Sequence, residues 1–221
     1  MIHLKWRMIM KKTCAKYASK LIHDGMVVGL GGGSTIQFLI DYVKDKDIQV
    51  VTPSVKTALK AQKEGLPVLN TQFVDHIDIA FDGCDEVDSN LNALKSGGGI
   101  HTQEKIIASM ADEYIVLVDE TKFHKTLAFK APVVVEVLPR AYSIVKKKLE
   151  QLNGNVVERT SNNKDGIMIS DEGNLLLDVY FNEVQDIGLL NQTLLMMPGV
   201  VDTSLFAVSY THLTLPTNSR V

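Results

Sequence analysis

Five short apolar runs punctuate the first 120 residues of the chain, at 26–30, 48–52, 66–69, 77–81 and 114–118. Each has the length of a strand, and most are separated by segments whose apolar residues recur at helical spacing. Ile36 to Val43 is one such segment, with Phe38, Leu39 and Val43 available for burial. Another opens at Pro53-Ser54, runs through Gln62 and closes at Glu64-Gly65. Ahead of the first run, Cys14, Tyr17, Ala18, Leu21 and Ile22 predict one apolar helix face between Lys11 and Asp24, and Asp24-Gly25 stops that helix. Strands alternating with helices in this way predict an α/β, Rossmann-like parallel sheet covered by helices on both faces.

The first run passes directly into Gly31-Gly32-Gly33-Ser34-Thr35 and then into a helix. Free backbone N–H groups and the helix dipole at that point suit a phosphate. A nucleotide-hydrolysing loop needs a lysine before its serine or threonine, and Gly33 stands there instead. A dinucleotide site wants an acidic residue about 20 positions further on, a region held here by Val50, Val51 and Thr52. The phosphate of a small metabolite remains. A glycine turn that lets helix and strand pack closely explains the loop equally well when it is taken alone.

The run at 77–81 delivers Asp82, and the stretch from there to Lys105 brings together Asp82, Asp85, Glu86, Asp88, Lys95, the triplet Gly97-Gly98-Gly99 and Glu104. Loops leaving the carboxyl ends of parallel strands line the ligand crevice of such sheets. Carboxylates and a lysine converging there can hold hydroxyls, move a proton and stabilise an oxyanion. The plain alternative is a solvated acidic loop with a glycine turn. Thr102 is placed to cap the helix that contains Glu104, with Ile106, Ile107, Met110 and Ala111 facing the core. Cys84 reads as a small packed residue, because Asp85 and Glu86 disfavour a thiolate beside them.

Past Pro132 the pattern changes. Strands at 133–138, 155–160, 166–170, 175–180 and 200–208, helices at 139–152 and 185–197, and a hairpin turn at Asp171-Glu172-Gly173-Asn174 predict a smaller α+β, ferredoxin-like domain with antiparallel pairing. The boundary falls near residue 130. Residues 1–130 are then the α/β catalytic domain, 131–207 a lid or oligomerisation domain, and 208–221 an unmatched tail that reads as non-native sequence.

A chain of 221 residues suffices for such a core. A net charge of −3 gives no basic surface for nucleic acid, and no apolar run approaches the roughly 20 residues of a membrane span. Residues 1–10 lack the apolar core and cleavage site of a signal peptide. Two cysteines, Cys14 and Cys84, without a close pairing point to a reducing compartment, the cytoplasm. No metal is expected. Asp82, Asp85 and Asp88 are three apart rather than alternate as in a calcium loop, and the six histidines are scattered without a zinc pattern. His101 reads as an exposed residue at a helix start.

Six motifs in series closely resemble the signatures of ribose-5-phosphate isomerase type A and occur in that family's order. They are Gly29-Leu-Gly-Gly-Gly-Ser-Thr35, Asp82-Gly-Cys-Asp-Glu86, Lys95-Ser-Gly-Gly-Gly99, Gln103-Glu-Lys-Ile106, Asp119-Glu-Thr-Lys122 and Pro198-Gly-Val-Val201. The resemblance implies interconversion of ribose 5-phosphate and ribulose 5-phosphate in the pentose phosphate pathway, with no metal or other cofactor. Carried over by position, Glu104 is the base moving a proton between C1 and C2. Asp82 assists ring opening and proton traffic at the ring oxygen and O1, and Asp85 and Lys95 bind hydroxyls and stabilise the enediolate. The phosphate falls to Gly32, Gly33, Ser34 and Thr35, with Lys12 and Lys122 as charge partners and Ser54 at the site wall. Gly97 and Gly98 let the backbone approach the sugar.

Glu104 sits early in a helix, whose dipole favours the ionised carboxylate. Desolvation by substrate and the charges of Asp82 and Asp85 push the other way, and are expected to win in a closed site. Two departures stand out. The family usually has threonine where Gly32 stands, which leaves the phosphate mainly to backbone amides. It also usually continues beyond Ala207 into a segment that returns to the first domain, whereas 209–221 matches nothing expected. The resemblance further implies a homodimer or homotetramer. A non-catalytic sugar-phosphate sensor, an acyl-CoA transferase and a sugar-phosphate deaminase of related fold are the competing functions. A sensor needs no base, yet Asp82, Asp85, Lys95 and Glu104 are all present.

Overall fold

The computed structural model describes residues 2–207. In chain order its helices are α1 (Ile2–Ala18), α2 (Gly33–Val43), α3 (Val55–Lys63), α4 (His101–Met110), α5 (Tyr142–Gln151) and α6 (Ile187–Leu195). Its strands are β1 (Val27–Leu30), β2 (Gln49–Val51), β3 (Val68–Leu69), β4 (Ile77–Asp82), β5 (Glu86–Asp88), β6 (Ala93–Leu94), β7 (Ala111–Val116), β8 (Phe123–His124) and β9 (Val133–Val137). Then follow β10 (Asn155–Glu158), β11 (Thr160–Ser161), β12 (Lys164–Ile167), β13 (Leu175–Tyr180), β14 (Val200–Thr203) and β15 (Leu205–Phe206). These elements form two units. One holds residues 2–84 and 103–123, the other 85–102 and the described residues from 124 on.

In the first unit the sheet runs β3-β2-β1-β4-β7 with every neighbouring pair parallel, as the alternation of runs and helices requires. Its strands are short and apolar because both faces are covered. Val28, Leu30, Val50, Ile79 and Phe81 pack with Ile36, Leu39, Ile40 and Val43 of α2 and with Ala15 and Ala18 of α1. The chain builds outward from β1 through β2 to β3, then returns to add β4 on the other side of β1. The strand order therefore reverses between β1 and β4, and the carboxyl ends of those two strands form the switch point where open α/β sheets take ligands. Leu30 lies opposite Phe81, so Gly31 and Asp82 leave the sheet side by side.

Two helical details differ from the sequence expectation. Ala15, Ala18 and Ile22 form the buried stripe of the first helical segment, while Tyr17 and Leu21 are exposed. The helix starts well before Lys11, and a 3-10 turn at Ser19–Leu21 shifts the phase at its end. Similarly, α4 ends at Met110 and Ala111 already belongs to β7. Ile107 and Ala108 are buried, whereas Ile106 is exposed.

In the second unit the chain order β9-α5-β10-β13-α6-β14, with the separate β11–β12 hairpin between β10 and β13, and the sheet order β10-β13-β9-β14, antiparallel throughout, make the ferredoxin-like split arrangement. Val133, Val135, Val137, Leu177 and Val179 face Val145, Leu149 and Leu194 of the two helices. Asp186 starts α6, its carboxylate accepting from Leu189 N at 2.9 Å. The expected last strand is two strands in two sheets: β14 pairs with β9, and β15 pairs with β6.

That second pairing shows why no single cut near residue 130 divides the chain. The β5–β6 hairpin is joined to β15, with Leu94 opposite Leu205. The Glu86 carboxylate accepts from Ala128 N at 2.9 Å and Ala131 N at 2.8 Å. Residues 85–102 are therefore built into the second unit. His101, expected at the surface, is fully buried, and the Thr102 hydroxyl donates to Glu136. No helix among the described residues is long and apolar enough to cross a membrane. The tail at 208–221 lies outside the described residues.

Candidate active site

In the first unit, α2 starts where β1 ends. Its N-cap, Gly32, has an extended backbone and brings no side chain to the first-turn N–H groups. Those groups belong to a helix of 11 residues whose start, Gly33 and Ser34, is exposed, with Thr35 half-buried. Such a terminus presents orphan donors and a positive dipole end to an anion. Lys11 Nζ donates to Ser34 Oγ at 2.8 Å, which sets an ammonium beside the loop. Lys12, the residue singled out from the sequence, has its ammonium 5.3 Å from the centroid of the Phe38 ring.

Neighbouring helix residues differ by about 100° in direction, so adjacent lysines serve different places. The available signal for Lys11 was its phase: it lies four residues before Ala15 on the line continued by Ala18 and Ile22. Ser54 caps α3, its hydroxyl accepting from Thr57 N at 3.3 Å. Thr57 Oγ1 in turn donates to the Gly31 carbonyl at 2.8 Å, tying α3 to the loop. Lys122, in the 3-10 turn Glu120–Lys122, donates to the Cys84 carbonyl.

Asp82 ends β4 and is buried. Its Oδ1 accepts from Gly83 N at 2.7 Å and its Oδ2 from the Tyr114 hydroxyl at 3.3 Å. A Cβ at position 31 would stand 2.0 Å from the Asp82 Cγ. Only glycine lets this carboxylate lie against the start of the anion loop. Tyr114 escaped the sequence reading, although its place on the strand next to β4 is the signal that pairs it with Asp82. Cys84 is buried, and burial, with a smaller push from the charge of Asp119, raises the Cys14 thiol to about 11.

Glu104 is 5% exposed and sits in the first turn of α4. A helix that feeds a parallel strand runs back across the sheet, so its first turn lies toward the carboxyl ends of the strands. Glu104, Ile107 and Ala108 form one buried stripe. A Cβ at Gly29 of β1 would stand 2.9 Å from Ile107 Cγ2, which fixes the rotation of that stripe onto the sheet.

In the second unit, Asp85 and the glycine triplet are brought together. Gly97 N donates to Asp85 Oδ2 at 2.8 Å, with Gly97 and Gly98 exposed. Lys95 follows β6 and is buried; its N–H donates to the Ser204 carbonyl at 2.9 Å, and its ammonium lies 5.6 Å from the Phe206 ring centroid.

The first unit thus offers an anion loop with an ammonium beside it and two buried carboxylates. The second offers a carboxylate, a buried ammonium and open glycine backbone. Carboxylates move protons, and ammonium groups and backbone N–H groups stabilise a developing oxyanion. Among the described residues no group of three or more His, Cys, Asp or Glu side chains is arranged to hold a metal ion.

Comparison with known proteins agrees with this chemistry. The family described as "Ribose 5-phosphate isomerase A (phosphoriboisomerase A)" matches residues 49–219. A second description, "DeoR C terminal sensor domain", matches the shorter stretch 7–71, which contains the anion loop. The ribose-5-phosphate isomerase A of Thermosynechococcus vestitus is 40% identical over 204 residues, covering 89% of this chain and 86% of that protein. The solved structure of ribose 5-phosphate isomerase A from Methanocaldococcus jannaschii superposes with a TM-score of 0.87 at 36% identity, covering 95% of each chain. A D-ribose-5-phosphate isomerase in complex with phospho-erythronic acid gives 0.88 at 38% identity, covering 93% of each. Matches over 86% or more of both partners favour the enzyme over the sensor. The chain belongs to the ribose 5-phosphate isomerase A family.

Proposed function

We propose that the chain interconverts D-ribose 5-phosphate and D-ribulose 5-phosphate through an enediolate, with Glu104 as the base. Glu104 takes the C2 proton of the open aldose, the electron pair forms the C1–C2 double bond and charges O1, and the same carboxyl returns the proton to C1. Asp82 assists ring opening and moves protons between the oxygens. Asp85 and Lys95 hold hydroxyls, and the Lys95 ammonium stabilises the enediolate. The phosphate is assigned to Gly32, Gly33, Ser34 and Thr35, with Lys122 and with Lys11 taking the place of Lys12, the neighbouring lysine expected from sequence. Ser54 forms the wall, and Gly97 and Gly98 approach the sugar. The observation that carries the reading is the buried Glu104 at the start of a helix over a sheet whose switch point holds Asp82 and the anion loop.

Conversion of ribose 5-phosphate in the presence of EDTA tests it. Glu104→Gln is expected to lose about 10²- to 10⁴-fold in turnover while still binding phospho-erythronic acid. A Glu104→Gln protein with full turnover would remove that residue from the role.

The substrate places the enzyme in the non-oxidative branch of the pentose phosphate pathway. Two unbridged cysteines support a cytoplasmic location. Exposed Leu138, Ile144, Leu189 and Met196 in the second unit support a homodimer or homotetramer, which light scattering would show as a multiple of the 24.4 kDa chain.

A further inference from the structure

Glu136 interrupts a strand otherwise made of valine, Val133-Val134-Val135-Glu136-Val137, and is 2% exposed. A carboxylate buried in mid-sheet is costly unless its oxygens are satisfied. Here Ser170 Oγ donates to it at 2.6 Å, Asn174 Nδ2 donates at 2.8 Å, and the Thr102 hydroxyl donates to its other oxygen. Burial pushes its pKa up, but these three bonds and the charge of His101 outweigh that and hold the carboxylate below the usual range.

The donors come from two places. Ser170 and Asn174 belong to the turn before β13, and Asn174 N also donates to Ser170 Oγ at 3.2 Å. Thr102 belongs to α4, two residues before Glu104. The loop leading to it rests on the same face of the same sheet. Leu176 of β13 is the cross-strand partner of Glu136, and a Cβ at Gly99 would stand 2.6 Å from Leu176 Cδ1. Gly99 has φ +70, so both its conformation and its contact exclude a side chain there. The face that carries Glu136 and Leu176 is therefore a seat for residues 99–102.

We propose that Glu136 is a positioning residue for the isomerisation: by holding Thr102 it sets the start and rotation of α4, and with them the aim of Glu104. The proposal rests on the assignment of Glu104 as the base. Glu136 touches no reacting atom. A rotation of the first turn displaces Thr102 and Glu104 together, so fixing one hydroxyl fixes the reach of the base. The turn bearing Ser170 and Asn174 uses the same carboxylate without leading to Glu104, and this makes it an internal control.

Three variants separate positioning from a merely structural role. Thr102→Val removes the hydroxyl at nearly constant volume, Thr102→Ser restores it, and Ser170→Ala cuts the bond on the other side. Turnover is expressed per site that binds phospho-erythronic acid, so unfolded protein is not counted. Thr102→Val is expected to lose about 10-fold or more in kcat with KM changed less than about twofold, because small misplacements of a reacting group are amplified in rate. Thr102→Ser recovers most of the rate. Ser170→Ala melts earlier yet keeps its kcat per site. Equal kcat in Thr102→Val and wild type, or equal losses in Thr102→Val and Ser170→Ala, would overturn the proposal. Glu104→Gln in the same assay distinguishes the two failures. An active Glu104→Gln overturns the base assignment and this proposal with it, whereas an inactive one beside a fully active Thr102→Val overturns the proposal alone.

Discussion

Two adjacent lysines show how finely a helix sorts its residues. Lys11 reaches Ser34 in the anion loop, while Lys12 lies over Phe38. A charge-assisted contact to a bound phosphate is worth about 1.5–3 kcal/mol. Lys11→Met should therefore raise KM for ribose 5-phosphate by about 10-fold or more, with Lys12→Met close to wild type; the reverse order in steady-state kinetics would return the phosphate to Lys12. Gly31 makes a sharper case. An alanine there would put its Cβ 2.0 Å from the Asp82 Cγ, so the carboxylate must swing away or the loop must move. Gly31→Ala should lower kcat by at least about 10-fold. Unchanged kcat in the folded variant would mean that Asp82 works from another position.

At the scale of elements, much was legible because short apolar runs followed by glycine have few other uses. The runs at 26–30 and 77–81 became β1 and β4, whose carboxyl ends carry the loop and Asp82. The alternation of strands and helices in the second half also followed from periodicity, although the strand expected at 166–170 is instead β12, paired with β11 outside the four-stranded sheet. What escaped was phase and partnership. Tyr17 and Leu21 look as apolar as Ala15 and Ile22, yet only the phase of α1 decides which are buried. Thr102 looks like a helix cap, since nothing local reveals a carboxylate 34 residues later in sequence.

The buried Glu136 has a pH signature. An unfolded glutamate titrates near about 4.3, and Glu136 in the folded protein titrates lower. Its contribution to stability is therefore complete above the unfolded value and is lost as pH falls toward the folded one. The melting-temperature advantage of wild type over Glu136→Gln should be largest near neutrality and shrink below about pH 4. Glu158, which Lys146 and Tyr142 hold down to about 2, titrates in both proteins and cancels in the difference. An advantage that stays constant from neutrality into acid would mean that Glu136 does not carry the charge assigned to it.

For the whole molecule the consequential feature is the path of the chain, which passes between the units after residues 84, 102 and 123. Sequence patterning places the second domain at 131–207, because composition changes at Pro132 and says nothing about a hairpin 40 residues earlier. A fragment with those bounds would lack Leu94, fully buried in the second unit's core, and with β6 the strand that pairs with β15. It would also lack Glu86 and Leu127, and Glu136 would lose Thr102. Removing one large core side chain costs about 2–5 kcal/mol, and stranding part of a buried carboxylate's hydrogen bonding adds about 1–3 kcal/mol. Together these approach the total stability of a small domain, about 5–15 kcal/mol. Fragment 131–207 should therefore show no cooperative transition when heated and followed by circular dichroism. A sharp, reversible transition would mean that residues 85–102 are only attached to the second unit; a featureless trace would mean that the loop carrying Asp85 and Lys95 is part of the structure on which it rests.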